Sequence, residues 1–144
     1  MVTPTPRGRR PELRRTLRSS LDEVDPVCHD VRAFLRDHDE TGAGFVVELV
    51  ARECINNAVL HGNRQDPAKL VTIAVCIGRR YFCLRVSDQG TGFDWRERLA
   101  LPVPGDTAVR GRGLPILEMY ARKLAFNQAG TCVTVWLTRT CGEG

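Results

Sequence analysis

Residues 53–62 read ECINNAVLHG and sit in a segment with helical apolar spacing from about Phe45 to His61. On such a helix Glu53, Asn57 and His61 fall at i, i+4 and i+8, one stripe that begins with Val46, Leu49 and Val50. Val47, Ala51, Cys54, Ile55, Ala58 and Val59 cover most of the remaining surface, and only Glu48 and Arg52 form a solvent row, so the helix is mostly buried. An acid and an amide on a buried stripe are costly unless something satisfies them. A ligand or a metal would do so. A carboxylate and an amide oxygen on successive turns suit a hard cation such as magnesium, which takes oxygen ligands and is completed by water and substrate phosphates. One of the two could bind the metal while the other handles a proton or a water. The same stripe also fits a helix whose polar groups bond to neighbouring backbone, with His61 a near-surface histidine at its end.

Two further stretches carry chemistry. In SDQGTGFD, residues 87–94, Asp88 ends a strand and is followed by Gly90 and Gly92. Glycine lets backbone approach a flat ring closely, and a carboxylate accepts a hydrogen bond from an exocyclic amine such as that of adenine. By itself D-x-G-x-G also describes an ordinary turn. In RGRGLPIL, residues 110–117, Gly111 and Gly113 precede a helix whose exposed amides and dipole would attract phosphate, and Arg110 and Arg112 add positive charge. The pattern is neither a P-loop nor a Rossmann fingerprint. It also fits a plain helix start with a flexible entry.

These stretches need elements to hold them. Leu13 to Ser19 reads as an edge strand, about Asp22 to His38 as a first helix with Pro26 in its first turn, and Phe45 to His61 as the second helix, stopped by Gly62. LVTIAVCI and RRYFCLRVSD alternate as strands and form a hairpin across Gly78. A loop from Gly90 to Gly113 holds five glycines and two prolines, long enough to be a functional lid. A third helix is expected from about Leu114 to Leu124, with Leu114, Leu117, Tyr120 and Leu124 on one side. A closing hairpin of LAFNQ and CVTVWLT follows. The order predicts an α/β (α+β) two-layer sandwich, a mostly antiparallel mixed sheet with its helices packed on one face. Its domain would span residues 13–140, with a lid at about 93–113 and a basic arm at 1–12.

Composition narrows the function classes. The chain has 144 residues and is 42% hydrophobic, enough for one domain with a core. Six arginines and one acid in residues 1–20 give that stretch plus five of the net +4, leaving the remainder near neutral. Such an arm could bind nucleic acid or an acidic protein surface, but no aromatic residue is interleaved for base stacking, so direct nucleic-acid binding is not expected. No apolar run reaches the length of a membrane span, and the start has no signal-peptide core, so a cytoplasmic location is expected. The six cysteines include no C-x-x-C pair and read as small buried hydrophobes rather than disulfides or zinc ligands.

Taken together and in order, E-x-x-x-N-A-x-x-H-G, D-x-G-x-G, G-x-G-L and GTCVTV resemble the ATP-binding fold shared by gyrase, the heat-shock chaperone, histidine kinases and mismatch-repair ATPases, called GHKL. The short form with H-G closing the first motif and a compressed lid is similar to the bacterial anti-sigma factor serine/threonine kinases, over roughly residues 13–138. The resemblance implies ATP and Mg2+ as cofactors, Glu53 as general base and Asn57 as magnesium ligand. Asp88 would receive the adenine amine, Gly90 and Gly92 would line the nucleotide site, Gly111, Arg112 and Gly113 would meet phosphate, and Thr131 would lie near the adenine pocket. Its implied partners are a sigma factor, a small anti-anti-sigma protein with a STAS domain as phosphorylation substrate, and a second copy of the chain. Pro115 departs from the usual helix former after G-R-G-L, at a position where the first turn tolerates it. Two rivals are a module that binds ATP without transferring phosphate and the catalytic domain of a histidine kinase. The latter needs a dimerisation helix bearing a histidine ahead of residue 13.

Overall fold

The computed structural model describes residues 10–92 and 113–139. Within them the strands are β1 (Glu12–Arg18), β2 (Leu70–Ile77), β3 (Tyr81–Ser87), β4 (Lys123–Phe126) and β5 (Cys132–Thr138). The helices are α1 (Val24–Asp37), α2 (Gly44–Asn57) and α3 (Gly113–Tyr120). The sheet order is β1-β2-β3-β5-β4, and every ladder is antiparallel.

The sheet is thus not mixed, and the connections explain why. Hairpins join β2 to β3 and β4 to β5, while α1 and α2 form an out-and-back pair between β1 and β2, returning the chain so that the two strands oppose. After β3 the chain passes along α3 to β4, and β5 then inserts between β3 and β4.

Alternation decides which face the helices cover. Leu13 and Leu17 of β1, Val71, Ile73, Val75 and Ile77 of β2, Phe82, Leu84 and Val86 of β3, and Val133, Val135 and Leu137 of β5 are buried. They form one core with Val31 and Leu35 of α1, Val47, Val50, Ala51, Cys54 and Ile55 of α2 and Leu117 of α3. The opposite register positions carry Cys76, Cys83 and Cys132, which are half-buried on the other side of the sheet. Only Cys28 and Cys54, on the helices, are the buried small hydrophobes expected, and burial pushes the Cys28 thiol up to about 11. Cys76 and Cys83 are direct cross-strand neighbours. Cys141 lies outside the described residues.

Several boundaries differ from the periodic reading. β1 begins at Glu12, and the Ile77 amide bonds the Pro11 carbonyl at 3.0 Å, so the end of the basic arm is already part of the ladder. The third helix stops at Tyr120, and Leu124 belongs to β4, because the Arg122 amide bonds the Trp136 carbonyl at 2.7 Å and starts the strand pairing. Phe45, Met119 and Tyr120 remain exposed.

The largest difference lies at the end of the second helix, which does not run as α-helix to His61. From Ala58 to Gly62 the chain is a π-helical turn, and the Asn63 amide bonds the Ala58 carbonyl five residues back at 2.8 Å. This wider turn delivers Asn63 into the interior, where it is 1% exposed. Its side-chain nitrogen donates to the Ser19 hydroxyl at 2.7 Å and the Leu70 carbonyl at 3.0 Å, and its oxygen accepts from the Gln89 amide at 2.8 Å. Ser19 donates in turn to the Lys69 carbonyl at 2.7 Å, and Gln89 accepts from the Leu70 amide at 2.7 Å. One side chain therefore fastens together the end of β1, the start of β2 and the loop after β3. Replacing Asn63 by Ala removes all three bonds, one to the buried Ser19 hydroxyl and two to part-buried backbone groups, so stability should fall by about 2–4 kcal/mol. Urea unfolding should show the lower midpoint at an unchanged slope.

Candidate nucleotide site

Glu53 and Asn57 occupy the flank of α2 opposite its ion-paired flank. Glu48 pairs with Arg32 of α1 at 2.9 Å, and Arg52 pairs with Asp25. With about 3.6 residues per turn, these two face α1 while Glu53, Asn57 and Val46 face the other way. All three are half-buried, not on the core-facing side. α2 packs between α1 and α3 over β3, which sets both flanks.

The Asn57 side-chain nitrogen is the only buried side-chain polar atom without a hydrogen-bond partner among the described residues. A half-turn of the amide would place its oxygen in the same spot. An orphaned amide there is a ready ligand position for a hydrated cation or a polar substrate. One turn earlier, burial raises the proton affinity of the Glu53 carboxyl above its ordinary value, an effect that the positive charge of Arg52 partly opposes. A carboxylate made more basic in this way is suited to taking a proton. His61 is exposed, and the π turn takes it out of the straight i, i+4, i+8 stripe expected from α-helical spacing.

Asp88 lies against the π turn. Its side chain accepts from the Gly90 amide at 2.9 Å, and its own amide bonds the Thr131 carbonyl at 2.8 Å. Burial raises its proton affinity, and the Gly90 amide and the charge of Lys69 oppose the rise. A Cβ on Gly62 would stand 2.3 Å from an Asp88 carboxylate oxygen, and one on Gly90 would stand 1.9 Å from the Gly62 carbonyl oxygen. Both positions must be glycine for the carboxylate to sit where it does. Gly92 has φ of 91°, and a Cβ there would come within 1.8 Å of the Ala129 carbonyl. Thr131 follows that turn, and Asn127 shapes it. The Asn127 oxygen accepts from the Thr131 and Cys132 amides at 2.8 and 3.1 Å, and its nitrogen donates to the Thr131 hydroxyl at 2.8 Å.

The fold thus gathers Asp88, Gly90, Gly92 and Thr131 at one end of the sheet, joined through Gly62 to the helix that carries Glu53 and Asn57. Gly113 is the first residue of α3, whereas Gly111, Arg112 and nearly all of the expected lid lie outside the described residues. Asn63, Gln89, Ser19 and Asn127 hold this arrangement, and none stood out in the sequence. The one hint was an asparagine directly after the helix-ending glycine.

Residues 17–138 match the family model of the histidine kinase-like ATPase domain. The chain belongs to that family. No curated protein matches the chain at a significant level. Membership makes this an ATP-binding domain with ATP-dependent chemistry, either phosphotransfer or ATP hydrolysis. No described helix is long and apolar enough to cross a membrane.

The two desolvated carboxyls give this histidine kinase-like ATPase domain a pH signature. Because their folded-state proton affinities are raised, the folded chain holds these protons more tightly than the unfolded chain does. The penalty is absent below the ordinary values of 4.5 for Glu53 and 3.8 for Asp88 and develops as pH rises through the raised ones. Glu53→Gln should therefore melt at a higher temperature than wild type at neutral pH, and the difference should vanish in acid. A difference that stays constant across the titration would show that burial of the charge is not its source.

Proposed function

We propose that the chain is an anti-sigma factor with serine/threonine protein kinase activity. It would transfer the γ-phosphate of ATP to a small anti-anti-sigma protein with a STAS domain and so control the capture of a sigma factor. The observation that carries the transfer step is the pairing of Asn57, whose buried amide lacks a partner, with Glu53, whose carboxyl is made more basic by burial, one turn apart on the same flank. The motif order and the compressed lid region support the kinase family within the larger group.

In this reading Asp88 accepts the adenine amine, with Gly90 and Gly92 keeping the backbone close to the ring and Thr131 at the pocket's edge. Asn57 holds Mg2+, which when bound neutralises charge on the phosphates. Glu53 takes the proton from the attacking serine or threonine hydroxyl. Gly111, Arg112 and Gly113 meet the phosphates. A cytoplasmic homodimer is part of the proposal, supported by a sheet whose described helices all pack on one face. A second reading, an ATP-binding module without productive transfer, is disfavoured by Glu53, since holding a nucleotide requires no desolvated base.

The test is transfer of labelled γ-phosphate from magnesium ATP to proteins of the host extract, with wild type beside Glu53→Ala. A small protein labelled on serine or threonine by wild type alone is the expected result. ATP affinity should change little in the variant, because Glu53 contributes chemistry and not ground-state binding. Absence of labelling by a wild type that binds ATP would leave the binding-module reading. Labelling that survives in Glu53→Ala would remove Glu53 as the base.

A further inference from the structure

The end of the sheet remote from Asp88 carries a second charged feature. A concavity of about 270 Å³ is lined by Arg79, Arg80, Tyr81, Thr138 and Arg139. It lies at the β2–β3 turn, so the length of β3, about 20 Å, separates it from the nucleotide site. Four arginines from three distant parts of the chain meet here. Arg79 and Arg80 form the exposed turn, and Arg139 follows β5. The Arg10 guanidinium covers Gly78, where a Cβ would stand 2.7 Å from its nitrogen.

The site is partly built. Arg139 is held by two interactions, an ion pair from its Nε and Nη2 to Glu40 and a bond from Nη1 to the Gly78 carbonyl at 2.9 Å. Its amide also bonds the Arg80 carbonyl at 2.8 Å, which ties β5 to the turn. Glu40 offsets the charge of Arg139, and Arg10 and Arg80 have no acidic partner among the described residues.

We infer that this arginine cup is a docking site for an acidic peptide segment of a protein partner, used independently of the nucleotide. Three features favour that ligand class. The exposed charges without an acidic partner among the described residues, Arg10 and Arg80, come from separate segments rather than one point, which suits several carboxylates in a row better than one compact phosphate. Among the described residues Tyr81 is the only aromatic side chain lining the concavity, too few for the stacking platform that single-stranded nucleic acid uses. Guanidinium forks also match carboxylates in bidentate geometry.

The experiment measures anisotropy of a fluorescein-labelled oligoglutamate peptide with nucleotide-free protein at low salt, beside an oligonucleotide of equal charge. Wild type should bind the peptide more tightly than the oligonucleotide, and the affinity should fall as salt shortens the screening length to about 8 Å. The double variant Arg79→Glu, Arg80→Glu should lose about tenfold or more in peptide affinity while its circular dichroism and ATP affinity stay as in wild type. No peptide binding by wild type, equal binding by the double variant, or tighter binding of the oligonucleotide would each overturn the proposal. Because ATP affinity and phosphate transfer are read separately, failure here leaves the kinase reading standing, and failure of the kinase reading leaves the cup.

Discussion

Two stretches of backbone, the end of the π turn and the loop after β3, pass each other with no side chain between them. The Gly62 carbonyl lies where a Gly90 side chain would be, and the Asp88 carboxylate lies where a Gly62 side chain would be. A methyl group at either position would push the π turn and the loop apart, and Asp88 would move with its loop. That contact sets the distance between the helix bearing Glu53 and Asn57 and the strand end bearing Asp88. Asn63 locks it from behind by bonding to both sides of the approach. The π turn makes this possible, since its extra residue per turn brings Gly62 and Asn63 to the loop together, and such turns recur where a helix must present functional groups.

Asn57 and Asn63 show that the missing partner is selective. They are the same residue type, six positions apart, at either end of the same turn. Asn63 uses its nitrogen twice and its oxygen once, while the nitrogen of Asn57 has no partner among the described residues. A fold able to satisfy one buried amide this fully does not leave its neighbour open for lack of available donors and acceptors. Glu53 and Asp88 add to the same cost, each desolvated and only partly compensated. The large core under α2 is what tolerates these groups, and the flank bearing Glu53 and Asn57 is the part of the helix that gives up stability.

Much of the architecture was legible because it rests on period. Alternation in β2, β3 and β5 and helical spacing in α1 and α2 each encode one buried face, and those faces are where the sequence placed them. Three things were not legible. A π turn has no apolar period of its own, so residues 53–61 read as unbroken α-helix. The end of α3 is set by the backbone bond from Arg122 to Trp136, a long-range contact that no local pattern announces. The cysteines share apolar segments with the core, yet their odd or even place in the strand puts three of them on the far face. Of the site, Glu53, Asn57 and Asp88 stood out because polar groups in apolar settings are conspicuous. Asn63 and Asn127 did not, because a buried asparagine and an exposed one look alike in one dimension.

The two proposals place chemistry and docking at opposite ends of the sheet. β2 and β3 run directly from the nucleotide end, at Leu70 and Ser87, to the arginine end, at Ile77 and Tyr81, and they are paired residue by residue between. β5 spans the same distance, with Thr131 ahead of it at the first end and Arg139 after it at the second. The core-facing side chains at the centre of these strands, Val75, Leu84 and Val135, are fully buried, so the ladder is a stiff spacer and holds the two ends at a fixed separation. A segment held at the arginine end would therefore reach the nucleotide only through the rest of its own protein, about 20 Å away. Docking and chemistry placed this way can be tuned independently, because a substitution at the β2–β3 turn touches neither the glycine contact at Asp88 nor the flank of α2.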